Sequence, residues 1–227
     1  ITRIAEKLGS LIGEYDREYL KGLAKELIKG TATMPGLSVV KAASHNPRYI
    51  REFIAQGLVR KLLPKEKNIF CDEIISLDAF LHWFDYSSQE KRPDLLRLRA
   101  YNVNGLFKIK AQIIECKLAQ ESEYHLEKGL QQVKAGEEHL IQKFLPRQKK
   151  EPLGIKDDPE QRYWWLQLHR LISGRGISTK EKEREIVQAL EFLSDGYYSI
   201  EWEGACVAFW TDVSSSDVEK SVAEGKD

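Results

Sequence analysis

The chain has 227 residues and carries 35 basic and 35 acidic side chains, so its formal net charge is zero. No global field draws it to a polyanion, and any nucleic-acid contact must come from local patches. Its 42% hydrophobic content suffices for one sizeable core. No apolar run approaches the roughly 18 residues of a membrane span and no signal peptide opens the sequence, which predicts a cytoplasmic protein with no membrane contact. Cys71, Cys116 and Cys206 lie far apart with no CxxC pair. That spacing predicts buried free thiols in a reducing compartment and argues against zinc.

Residues 1–30 place Ile4, Leu8, Leu11, Ile12, Tyr15, Tyr19, Leu23 and Leu27 at helical spacing, with Gly30 as the expected C-cap. An irregular stretch with Pro35-Gly36 follows. Asn46-Pro47 then predicts a second helix to Leu63, with Asn46 as N-cap and Pro47 in the first position. Glu52 is its only acid, by default a solvated helix carboxylate. Arg48, Arg51, Arg60 and Lys61, followed by Lys65 and Lys67, form a basic run that either neutralises phosphates or is simply solvated. Residues 69–77 read as the first core strand and 78–86 as an aromatic-rich helix or turn, in which His82 is expected to be packed or partly exposed rather than catalytic. Asp72, Glu73 and Asp78 are further acids near the strand ends.

The stretch RPDLLRLRAYNVNGLFKIKAQIIECKL, from Arg92 to Leu118, carries the chemistry. Asn104-Gly105 predicts a two-residue hairpin, because a type I′ turn needs positive φ at both central residues. Val103 then faces Leu106, and the same register pairs Leu98 with Ala111, Leu96 with Ile113, and Asp94 with Glu115. Directly opposed residues have Cβ atoms roughly 4.5–5.5 Å apart, close enough for two carboxylates to share one divalent cation. Lys117 lies on the same face as Glu115, since strand side chains alternate. The rest of that face is apolar, whereas the other carries Arg97, Arg99, Lys108, Lys110 and Gln112. One face is therefore core, with Asp94, Glu115 and Lys117 at its open end.

Glu121 to Phe144 reads as a helix with Leu126, Leu130, Val133, Leu140 and Ile141 on one stripe, packing back over the sheet. It contains GLQQV, and it also presents His125 and Lys128. Lys143, Arg147, Lys149 and Lys150 make the following loop basic. Two helices come next, Glu160 to Ile172 and Thr179 to Leu193, separated by SGRGIS with Arg175 between glycines. Their aromatics, Trp164 and Trp165, are expected to pack rather than stack on bases. Tyr197 to Trp202 and Ala205 to Trp210 flank Glu203-Gly204, which predicts a second hairpin completing the sheet. The chain opens on Ile1 and closes on SSSDVEKSVAEGKD, which predicts a domain of a longer protein.

Pro93-Asp94 followed by Glu115-Cys116-Lys117 on an apolar strand resembles the PD-(D/E)xK, or restriction endonuclease-like, nuclease superfamily. The resemblance implies an α/β fold: a mixed central sheet flanked by helices over residues 46–212, an N-terminal helical extension over 1–45, a helical insertion at about 150–195, and a polar tail or linker over 213–227. It implies Mg²⁺, with Mn²⁺ as substitute, bound by Asp94, Glu115 and the Cys116 backbone carbonyl, with Glu52 as a further acid. Lys117 would position or activate the attacking water. In RecB-like members a helix glutamine faces the site, and Gln132 matches it, with Gln131 one position away. The implied reaction is hydrolysis of a DNA phosphodiester. The run RPDLL…IIECKLA…HLEKGLQQVKAGEEHL is similar, more narrowly, to nuclease domains of DNA phosphorothioation-dependent restriction systems. Those domains are associated with HerA-like ATPases in bacterial antiviral defence, which would make such an ATPase a partner. Cutting both strands often needs two sites, so a homodimer is expected. Two other readings stay open: a nuclease-fold DNA-binding or assembly module that does not cut, and a protein-interaction domain using the aromatic C-terminal half.

Overall fold

The computed structural model describes residues 1–13, 16–30, 47–63, 65–67, 69–85, 92–147, 158–173 and 183–212. Its elements are α1 (Thr2–Ile12), α2 (Arg17–Gly30), α3 (Pro47–Leu62), β1 (Cys71–Ser76), a 3-10 segment (Leu77–Trp83), β2 (Leu95–Val103), β3 (Leu106–Ala119), α4 (Glu123–Lys143), α5 (Pro159–Ser173), α6 (Glu183–Ser194) and β4 (Tyr198–Trp210). The expected single N-terminal helix is two. Gly13, at φ 68°, caps α1 in the left-handed conformation, where a side chain would be strained.

The four strands form one mixed sheet in the order β1-β2-β3-β4. β1, β2 and β3 are antiparallel, and the hairpin register is the one its turn dictates: Val103 faces Leu106, Leu98 faces Ala111 and Leu96 faces Ile113. Asn104 (φ 53°) and Gly105 (φ 78°) supply the two positive-φ residues of the turn.

The predicted second hairpin is absent. Residues 198–210 are one continuous strand running parallel to β3, with Gly204 opposite Ile113 and Cys206 opposite Glu115. Neither Glu203 nor Gly204 adopts positive φ. Gly204 serves packing instead, because a Cβ there would lie 2.5 Å from Val133 Cγ1 of α4. A parallel partner requires a crossover, and the segment holding α4, α5 and α6 provides it.

One sheet face, with Leu96, Leu98, Ala100, Phe107, Ile109, Ala111 and Ile113, builds the main core with α4, α5 and α6. Trp83 is fully buried there, its ring 5.2 Å from Phe144 and 5.9 Å from Trp164. Trp164, Trp165 and Leu168 are buried too, so these aromatics pack as expected. The other face, through Ile74, Leu95, Ile114 and Cys116, meets Ala55 and Val59 of α3. α1, α2 and the opposite side of α3 close a separate apolar cluster around Leu8, Ala24 and Phe53.

The stripe by which α4 faces the sheet differs from the expected one. Gly129, Val133, Gly136 and Leu140 are buried, whereas Leu126 and Leu130 are exposed. Small residues bring the helix axis close. A Cβ on Gly136 would meet Pro93 Cγ at 2.5 Å, and one on Gly129 would meet Cys206 Sγ at 2.4 Å. Leucines in those places would hold the helix off the sheet.

Candidate active site

The hairpin brings Asp94, Glu115 and Lys117 together at the end of the sheet remote from the Asn104-Gly105 turn. In the ladder, Ile114 pairs with Leu95, and the next closely bonded pair would be Cys116 with Pro93. That pair cannot close, because proline has no N–H to give the Cys116 carbonyl. The Cys116 N–H turns to the Asp94 side chain, at 2.9 Å from Oδ2. Pro93 therefore ends the ladder at Cys116, whose N–H is taken up by the Asp94 carboxylate and whose carbonyl gets no ladder donor from proline. The Asp94 backbone is tied down from the other side, its carbonyl accepting the Leu77 N–H at 2.9 Å.

Glu115 is 3% exposed. Its Oε1 accepts from Lys117 Nζ at 2.6 Å. Its Oε2 is buried without a hydrogen-bond partner of ordinary geometry and draws only a weak backbone contribution from Asp94. Burial, then the neighbouring Asp94 charge, pushes the Glu115 carboxyl up to about 8 despite the lysine. Asp94 is raised to about 6, chiefly by burial, against the Cys116 N–H bond that favours its charged form; the Glu52 charge raises it further. Two acids held this way store a charge problem that an additional cation would relieve.

Lys117 is held from two directions. Its Nζ donates to Glu115 Oε1 and to Gln132 Oε1, both at 2.6 Å. The Gln132 Nε2 in turn donates to the Arg92 carbonyl at 3.3 Å, so the amide bridges α4 to the strand entering the site. Gln131 is exposed, which settles which glutamine of GLQQV faces the site. Gly129, three residues before Gln132, allows the approach, since a Cβ there would meet Cys206 Sγ and Lys117 Cε.

Glu52 is half-buried on α3, close enough for its charge to act on Asp94. Of the other acids, Asp72 is committed elsewhere. It receives Arg97 Nε at 2.8 Å, Arg97 Nη2 at 2.6 Å and the Glu66 N–H at 2.6 Å. Asp78 pairs with Arg92 at the rim and lies near enough to raise Asp94. Asp78 and Cys206 are singled out by the sequence, but neither the Arg92–Asp78 pair nor the place of the half-buried Cys206 under Gly129 leaves a local pattern.

The basic run after Asn46 is largely engaged. Arg60 donates to the Ile74 carbonyl, Lys61 pairs with Glu26 at 3.0 Å and Lys65 with Glu73 at 3.1 Å. Arg51 and Lys67 are exposed, as is Lys128, whereas His125 is half-buried. Arg147 lies over the Trp165 and Tyr197 rings and donates to the Asp195 carbonyl. His82 is exposed beside Phe80 and Trp83. The side chain of Arg48, and Pro35-Gly36, Lys149, Lys150 and Arg175, lie outside the described residues.

Hard cations take oxygen ligands, and the oxygens here are of that kind: the Asp94 carboxylate, the unsatisfied Glu115 Oε2 and the Cys116 carbonyl lacking its ladder donor. Among the described residues no group of three or more His, Cys, Asp or Glu side chains is assembled for a metal. A cation held here would thus draw on the main chain and on solvent or substrate oxygens. No helix among the described residues is long and apolar enough to cross a membrane. No family model, curated protein or solved structure matches the chain.

Proposed function

We propose that the protein is a metal-dependent deoxyribonuclease of the PD-(D/E)xK type, with a restriction endonuclease-like core, hydrolysing DNA phosphodiester bonds in a bacterial defence system. The observation that carries this reading is the buried carboxylate of Glu115, with one oxygen on Lys117 and the other unsatisfied, beside Asp94 at a ladder end opened by Pro93. Buried acid oxygens are ordinarily hydrogen-bonded, so one left over beside a second acid supports a place for a cation.

Asp94, Glu115 and the Cys116 carbonyl would hold Mg²⁺, with Glu52 close enough to add its charge. When bound, the ion supplies Lewis acidity toward a phosphate oxygen and lowers the pKa of water. Lys117 has an ammonium with three donors, two of them used by Glu115 and Gln132. The third is available to orient the attacking water or to meet charge building on the phosphate. Gln132 fixes the direction of that donor, because its amide is itself anchored on Arg92.

The test is cleavage of supercoiled, linear and single-stranded DNA with Mg²⁺ or Mn²⁺. Wild type should cut, and Lys117→Ala and Glu115→Ala should each lose about 10²–10³-fold in rate. Cutting that survives both substitutions would place the chemistry elsewhere. If wild type does not cut, calorimetric titration with Mn²⁺ decides. Binding that Asp94→Ala abolishes fits a nuclease domain that needs its HerA-like ATPase or a modified substrate, whereas no binding removes the metal-site reading.

A further inference from the structure

β4 is an edge strand, and its backbone direction can be read. Thr211 N donates to the Ala119 carbonyl at 3.0 Å. The odd-numbered residues of β4 therefore turn N–H and C=O toward β3, and the even-numbered Gly204, Cys206, Ala208 and Trp210 turn theirs outward. Among the described residues no strand pairs with that outer edge. From Gly204 to Trp210 the strand has no charge and no proline, which are the usual devices that keep an edge unpaired.

A second apolar feature stands on the same side. On α4, Gln132 and His139 reach toward the β1–β2 side, to the carbonyls of Arg92 and Trp83. Leu126, Leu130 and Glu137 occupy the opposite flank at helical spacing, and Glu137 Oε2 is 3.9 Å from the Cβ position of Gly204 on β4. Leu126 and Leu130, 36% and 44% exposed, thus overhang the free edge.

The two features share a centre. Gly129 sits over Cys206 and Val133 over Gly204, so α4 runs antiparallel to β4. The midpoint of Leu126 and Leu130 falls above Cys206 to Ala208. A two-fold axis there, normal to the sheet, would pair β4 with its own copy antiparallel and set Leu126 against Leu130 of the second copy. Glu201, Glu203 and Asp212 would then face uncharged strand or opposite ends rather than themselves. Self-complementarity about one axis is what an isologous interface requires.

We propose that β4 and the Leu126–Leu130 flank of α4 form a homodimer interface in which two copies join their sheets edge to edge. A homodimer is what the nuclease reading leads one to expect, whereas the interface, built from β4 and α4, does not depend on that reading. Its consequence for a nuclease is geometric. Glu115 lies one strand from the edge, so the two sites would share one face of the joint sheet, about 14 Å apart across three strand spacings.

The experiment is sedimentation equilibrium of the 227-residue chain from about 1 to 100 µM, a span covering the usual range of modest homodimers. Leu126→Lys with Leu130→Lys changes only exposed helix positions and should weaken dimerisation at least tenfold. Ala208→Pro removes one outward N–H without touching the β3 ladder and should do the same, with far-ultraviolet circular dichroism matching wild type. Val103→Lys at the exposed hairpin tip should leave association unchanged. A wild-type chain monomeric throughout, or a dimer indifferent to the double leucine substitution, would overturn the proposal, as would a monomer that pairs this edge with an unrelated extended peptide.

Discussion

Two of the acid–base clusters on this sheet are built around a buried acid, and on opposite plans. In the Asp72–Arg97 cluster both carboxylate oxygens are met, by a forked guanidinium and a backbone N–H, and both side chains are buried. In the Asp94–Glu115–Lys117 cluster the ammonium bonds Glu115 alone of the two acids, Asp94 takes the Cys116 N–H, and a buried Glu115 oxygen is left over. Burial raises Asp72 too, but the Arg97 and Glu66 hydrogen bonds outweigh it and hold that carboxyl below its ordinary value. At Asp94 and Glu115 burial wins, and both are raised. The lesson is that burial alone does not mark a functional acid. What separates the clusters is whether the partners exhaust the oxygens.

The contrast can be broken most sharply at Arg97. Arg97→Met should leave the buried Asp72 carboxylate without its guanidinium and with only the Glu66 N–H, lowering unfolding free energy by about 3–5 kcal/mol in urea titration, with any DNA cleavage per folded molecule unchanged. An Arg97→Met protein that keeps full stability would mean the two clusters do not differ as described. Next in size is Gly129→Ala, whose Cβ would meet Cys206 Sγ at 2.4 Å. A loss of about 1–3 kcal/mol is expected from this overpacking, partly recovered by adding Cys206→Ala; no recovery would show that the thiol is not the obstacle. Gln132→Ala should keep the fold yet lower kcat by about 10–100-fold, as loss of an orienting partner does, with little change in KM. A rise in KM alone would assign Gln132 to binding instead.

In the pH dependence of the metal-free protein the two clusters should show opposite signs. Asp72 is lowered, so its contribution is complete above the unfolded carboxylate pKa and is lost as pH falls below it. Glu115 is raised to about 8, so the folded protein holds a proton that the unfolded chain has released. Stability should therefore fall as pH rises from about 4.5 toward 8. Glu115→Gln should flatten that slope in urea titrations at several pH values. An unchanged slope would mean that Glu115 is not the group responsible.

Much of the site was legible because it is local in register. Asn104-Gly105 dictates a turn, the turn dictates every pair along the hairpin, and period-two alternation then puts Asp94, Glu115 and Lys117 on one face. Gln132 was legible from its motif, although choosing it over Gln131 needed the helix seated on the sheet. Glu203-Gly204 misled for an instructive reason. Glycine has two uses, positive φ and absence of a Cβ, and local sequence does not say which one a position needs. At Gly105 it is the first; at Gly204 it is room for Val133.

By itself, then, the sequence determined the hairpin, its register, the helical segments and the three residues at the open end, since each follows from turn chemistry or periodicity within a few residues. Only the tertiary structure decided that β4 runs parallel on the edge, that α4 meets the sheet through Gly129, Val133, Gly136 and Leu140, and that Arg97 and the Glu66 N–H exhaust Asp72 while, among the described residues, nothing of ordinary geometry meets Glu115 Oε2. Those outcomes depend on contacts between segments tens of residues apart. Steric fit and hydrogen-bond satisfaction are settled there by packing, and packing leaves no periodic trace along the chain.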